Sequence, residues 1–69
     1  MKIKVNGQEK YINTKERNIT LYDTINSLGY KPNTIVVELN NLIVNFEGWG
    51  KENVKDGDKL EIVSIVGGG

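Results

Sequence analysis

There is no cysteine and no histidine among the 69 residues. Disulfides, thiolate chemistry and the usual zinc ligand sets are thereby removed together. Charge of one sign is also missing: nine basic residues balance nine acidic ones, and they are scattered rather than blocked. The electrostatic footprint of a nucleic-acid binder is therefore absent. No apolar run approaches membrane-spanning length, and Met1 to Val5 alternates apolar and basic residues instead of forming a signal-peptide core. These absences imply a cytoplasmic, soluble single domain, a monomer when free, without nucleic-acid or membrane partners. A chain of this size buries only ~60% of its unfolded surface, so its core must be well patterned.

The pattern is legible from the start of the chain. Met1, Ile3 and Val5 alternate with Lys2 and Lys4, the period of a strand with one buried face. Asn6-Gly7 supplies a type I′ turn, so a second strand over residues 8–13 runs back antiparallel. Thr14 to Asn18 reads as polar loop. Thr20 stands at a helix N-cap, with Asp23 three residues on as a short capping box, and Leu21, Ile25 and Leu28 share one helical face. Gly29 closes the helix and Pro32 prevents its resumption.

After the helix the period returns to two. Residues 35–39 and 42–44 form a second hairpin around Asn40-Asn41, and Asp56-Gly57-Asp58 turns into a last strand over residues 59–66. The element order β-β-α-β-β-β, with the last strand returning beside the first, implies an α+β, β-grasp (ubiquitin-like) domain. It would comprise residues 1–66, with a mixed sheet of about five strands and one helix across it. Residues 67–69 would form a flexible glycine tail.

From Ile35 onward the chain is similar to the small sulfur carrier proteins of thiamine (thiazole) biosynthesis. The shared features are the strand end Val37-Glu38-Leu39-Asn40, Trp49 after the short fourth strand, aliphatic Val54, and Asp56-Gly57-Asp58; "TLYDTINSLG" also fits the family's helix. Asn45-Phe46 stands where a Pro-Arg pair is common, and Asn41 replaces the usual turn glycine. Both departures lie away from the tail.

The resemblance implies that sulfur is held as a thiocarboxylate on the terminal glycine, here Gly69. A ubiquitin-activating-type adenylyltransferase would first adenylate that carboxylate with ATP, and the sulfur would come from a cysteine desulfurase or rhodanese-type donor and go to a thiazole synthase. The carrier itself would bind no cofactor and no metal and would not be an enzyme, because its reactive group is its own α-carboxylate. Gly67 and Gly68 suit such a tail: lacking Cβ, they pass a narrow channel, and three extended residues reach ~10 Å. Ordering them costs on the order of 1–2 kcal/mol per residue, so the folded body must supply a docking surface. In the last strand Leu60 and Ile62 would face the core. Glu61, Val63 and Ile65 would face away, and Val63 and Ile65, with Val36 nearby, form the expected partner contact.

Blander readings exist for each feature. Terminal glycines are often inert chain ends, Phe46 and Trp49 read as core or rim packing, and Asp56 and Asp58 need no cation to flank a turn. Two other functions fit the same fold: a molybdopterin-synthase-type small subunit carrying sulfur, and a ubiquitin-like binding module with an inert tail. No nucleophile–base pair, metal set or phosphate loop can be assembled from these residues into an independent enzyme.

Overall fold

The computed structural model describes residues 1–16 and 18–65. In chain order it contains β1 (Lys2–Val5), β2 (Gln8–Tyr11), β3 (Asn18–Thr20), α1 (Leu21–Ser27), β4 (Ile35–Leu39), β5 (Leu42–Val44), β6 (Asn53–Lys55) and β7 (Lys59–Ser64). Short 3₁₀ turns occupy Pro32–Thr34 and Phe46–Gly48.

Both hairpins depend on residues that accept left-handed backbone. Asn6 and Gly7 sit at φ 52° and 83°, linking β1 to β2; Asn40 and Asn41 sit at φ 50° and 73°, linking β4 to β5. Asparagine tolerates this region because its short polar side chain bonds locally. Asn41 can thus occupy a position usual for glycine.

The two hairpins do not pair with each other. β7 runs between them, and the sheet order is β2-β1-β7-β4-β5. β7 is parallel to β1, with Val5 beside Leu60, and antiparallel to β4, with Val37 opposite Ile62 and Leu39 opposite Leu60. A strand inserted parallel to the first and antiparallel to its other neighbour makes the sheet mixed, and α1 covers one face. This is the β-grasp architecture expected from the element order.

Alternation within the strands builds the core beneath the helix. Ile3 and Val5 of β1, Ile35, Val37 and Leu39 of β4, and Leu60 and Ile62 of β7 are buried together with Leu21 and Ile25 of α1. Ile25 has no solvent exposure, as its central place in the helical stripe requires. Thr24 is equally buried, and its hydroxyl donates to the Thr20 carbonyl at 2.9 Å. Trp49 and Val54 complete the core, and the Trp49 indole N–H donates to the Val44 carbonyl at 2.9 Å.

Helix α1 has only seven residues and too little intrinsic stability to stand alone. Its first amides are all partnered. Leu21 donates to the Glu52 carbonyl at 2.7 Å, Tyr22 to the Trp49 carbonyl at 3.1 Å, and Asp23 to the Thr20 hydroxyl at 3.1 Å. The other end closes in a Schellman pattern. Gly29, at φ 87°, donates to Asn26, and Tyr30 donates to Ile25.

Three boundaries differ from the sequence expectation. β2 ends at Tyr11 rather than Asn13; beyond it, buried Ile12 still exchanges backbone hydrogen bonds with Met1. β7 ends at Ser64; Val66, placed in the last strand by the sequence, lies outside the described residues, as do Gly67, Gly68 and Gly69. Asn18, read as loop, instead begins β3, which pairs antiparallel with β6 through Ile19 opposite Val54. Each of these two strands has three residues with a single apolar side chain among them, too short for any period to be seen.

Candidate functional site

The face of the sheet turned away from α1 divides into two halves. On β1 and β2 it carries Lys2 and Lys4 opposite Tyr11 and Glu9. The Lys2 ammonium lies 3.3 Å from the Glu9 carboxylate, whose hydrogen bond and charge hold the lysine above its ordinary range. This half is a solvated, charged surface.

On β7, β4 and β5 the same face is largely aliphatic. Val63 stands directly opposite Val36, and Ile43 of β5 is opposite Glu38. Exposure reaches 59% for Val63, 52% for Ile65 and 65% for Ile43, with Val36 at 37%. Leu60 and Ile62, on the alternate side of the same strand, are almost completely buried. The register thus brings Val36 and Val63 together and leaves Ile65 one step further along the strand, towards residues 66–69.

Two carboxylates interrupt this apolar half. Glu38 and Glu61 are cross-strand partners, both half-buried, on one face. Directly opposed like charges are mildly destabilising, with Cβ atoms about 4.5–5.5 Å apart. Glu61 is placed on this face by the alternation of the last strand, whereas Ile43 and Glu38 were not singled out from the sequence as neighbours of the patch. Period-two alternation in "IVVELNNLIVN" places Ile43 and Glu38 on the Val36 face once the hairpin register is known, and that register was the missing piece.

The aspartates around Gly57 have structural employment. One Asp56 carboxylate oxygen accepts the Lys2 amide at 2.7 Å. Asp58 is buried, accepts the Lys55 amide at 2.9 Å, and takes an amide hydrogen from Asn40 at 3.2 Å. Among the described residues no group of three or more acidic, histidine or cysteine side chains is placed to hold a metal ion. Nor is any helix of the described residues long and apolar enough to cross a membrane.

Phe46, where the sequence departs from the carrier pattern, is half exposed. Its ring packs edge-on to Trp49 at 5.2 Å between centroids and lies 6.2 Å from Tyr22. A depression of about 470 Å³ runs beside β5 and is lined by Leu39, Leu42, Val44, Gly48 and Lys51 among others. Its lining mixes aliphatic edges with solvated lysine and glutamate, and it converges on no catalytic constellation.

The ThiS family model matches residues 3–69. The chain belongs to the ThiS family. A crystal structure of a thiamine biosynthesis protein (ThiS) from Geobacter metallireducens superposes with a TM-score of 0.83 at 27% identity, covering all of both chains. A solution structure of a thiamine biosynthesis protein from the same organism gives 0.80 at 28% identity, covering all of this chain and 88% of the other. Among sequence relatives, the ycf40 protein of Trieres chinensis, itself uncharacterised, is 42% identical over 94% of this chain and 85% of its own length. A thiazole synthase from Paramagnetospirillum magneticum is 36% identical over the whole chain, which spans only 20% of that protein. ThiS-type small carrier proteins are not catalytic.

Proposed function

We propose that this thiamine-biosynthesis sulfur carrier of the ThiS family holds its sulfur as a thiocarboxylate on the α-carboxyl of Gly69. The observation that carries the reading is the family match itself, which runs through the terminal glycine. A carboxylate is a poor electrophile until its oxygen becomes a good leaving group. The Gly69 carboxylate attacks the α-phosphorus of ATP, held by an adenylyltransferase of the ubiquitin-activating type, and pyrophosphate leaves. The terminal sulfur of a donor persulfide then attacks the acyl carbon and AMP departs. A thiol cleaves the remaining S–S bond, leaving the thiocarboxylate on Gly69.

ATP is therefore consumed by the partner and not held by the carrier. The desulfurase or rhodanese-type donor supplies the persulfide, and a thiazole synthase accepts the sulfur. The thiazole synthase relatives support that last assignment, since a stretch resembling the entire chain lies within a longer protein of that name. Gly67 and Gly68 thread the partner's channel while Val36, Val63 and Ile65 dock the folded body. Exposed aliphatics continuous with the strand that leads to the tail support this division.

Intact mass after incubation with ATP, the activating enzyme and a sulfur source tests the reading. The chain should gain the mass difference of one oxygen replaced by sulfur, located on Gly69 by fragmentation. Removing Gly68 and Gly69 shortens the reach by roughly 7 Å and should abolish the gain while the protein stays folded. An alanine added after Gly69 should abolish it too. A gain on an internal residue, or one that survives truncation, replaces the carrier by a ubiquitin-like module with an inert tail.

A further inference from the structure

The parallel ladder between β1 and β7 is built from backbone as far as Leu60. The Lys4 amide donates to the Asp58 carbonyl at 3.0 Å, and the Asn6 amide to the Leu60 carbonyl at 2.9 Å. At Asn6 the chain enters the hairpin turn with φ 52°, so β1 has no further peptide to offer. The ladder nevertheless continues by one rung. The Ile62 amide donates to Asn6 Oδ1 at 2.7 Å, and Asn6 Nδ2 donates back to the Ile62 carbonyl at 3.1 Å.

A side-chain carboxamide carries the same acceptor and N–H donor as a peptide group. Asn6 therefore stands in for the peptide that β1 would have supplied had it not turned. From the other side β4 holds the same segment, with Ile35 paired to Ser64 and the Ile65 amide donating to the Thr34 carbonyl at 2.8 Å. Without the Asn6 rung, β7 beyond Glu61 would be held by β4 alone. The second turn asparagine also bonds β7, but at its beginning. Asn40 Oδ1 accepts the Lys59 amide at 3.0 Å, and Asn40 Nδ2 donates to Asp58 at 3.2 Å.

We propose that Asn6 is a positioning residue for sulfur loading: its carboxamide fixes where the chain leaves the sheet, and through that the placement of the Gly69 carboxyl in the activating enzyme. The proposal rests on the thiocarboxylate reading above. Asn6 acts through Ile62 and the residues that follow it.

Asn6→Gly isolates this role, because glycine keeps the positive φ of the turn and removes only the two side-chain bonds. Asn40→Gly is the control, losing two side-chain bonds at the far end of the same strand, one to the Lys59 amide and one to the Asp58 carboxylate. In the full chain the two variants should show similar falls in denaturation midpoint and affinities for the activating enzyme within about twofold of the natural chain. Only Asn6→Gly should speed hydrogen exchange at the Ile62 amide, by about tenfold, the scale set by the net loss of one or two neutral hydrogen bonds. Only Asn6→Gly should lower the maximal rate of adenylation at saturating carrier, about five- to tenfold. Asn6→Asp, which keeps an acceptor for Ile62 but loses the donor, should fall between and serves as the working variant if Asn6→Gly does not fold. Equal slowing by Asn6→Gly and Asn40→Gly, or an unchanged maximal rate despite faster Ile62 exchange, overturns the proposal. If the natural chain is not adenylated at all, the carrier reading fails separately. Ile62 exchange then still decides whether Asn6 fixes the exit, and unchanged exchange rejects it.

Discussion

Leu60 and Val63 are three residues apart in one strand and live in opposite environments. Leu60 lies beneath α1 with no exposed surface, while Val63, on the open face, keeps more than half of its own. Both are aliphatic and hydrogen-bonded into the same ladder, so neither composition nor backbone separates them. The difference is coverage: the helix and the Trp49 segment shield one face of the sheet, and nothing among the described residues shields the other. Burial energy is collected on the Leu60 side, whereas apolar area on the Val63 side stays exposed.

Substitutions can set these two faces against each other. Ile25→Ala, at the centre of the covered side, should cost roughly 2–5 kcal/mol, enough to unfold much of so small a domain. A chemical-denaturation midpoint that does not move would remove Ile25 from the core. Leu60→Ala belongs to the same range of about 2–5 kcal/mol, while Val63→Ala should stay within about 0.5 kcal/mol, so the pair measures the contrast inside one strand. Comparable losses from the two would mean that the open face is covered as well.

Ile65→Lys should leave the midpoint nearly unchanged and weaken binding to the activating enzyme by about tenfold or more, since a charge would be desolvated at the contact. Calorimetric titration reads this directly, and loss of folding instead would mean that the faces of β7 are reversed. The smallest effect is expected from Glu61→Gln. Relieving the opposition to Glu38 should stabilise the domain by about 0.2–1 kcal/mol, visible as a rise in midpoint that shrinks at high salt. A fall would show that the Glu61 charge has a favourable partner.

How much of this could be read beforehand depended on the length of each repeating pattern. Residues 1–5, 21–28, 35–39 and 59–64 each repeat an apolar position at least twice, and each was assigned to the correct element, the faces of the last strand included. The turns at Asn6-Gly7 and Asn40-Asn41 were equally plain, because few residues accept their backbone. β3 and β6 escaped notice, since their stability comes from each other and from the helix they flank, 35 residues apart in the pairing of Ile19 with Val54. Such pairing leaves no local trace. The exposed aliphatics and the glutamate beside them were visible in "EIVSI", but the pairing of that glutamate was not: Glu38 meets Glu61 only through a register linking distant segments. The roles of the two turn asparagines were hidden for the same reason.

The sheet order also dictates when the domain can come into being. Each hairpin closes locally, within about ten residues, and is available early as a chain emerges from a ribosome. Their inner edges stay unpaired until residues 59–64 have been synthesised, because that segment alone fills the gap between β1 and β4. Hydrophobic strands with open edges are the species most exposed to wrong pairing during synthesis. Closing the gap brings together residues as far apart as Val5 and Leu60, a loop whose entropy must be overcome before its contacts form. Folding is thus a late, nearly all-or-none event, timed by the emergence of the strand that leads to the glycines.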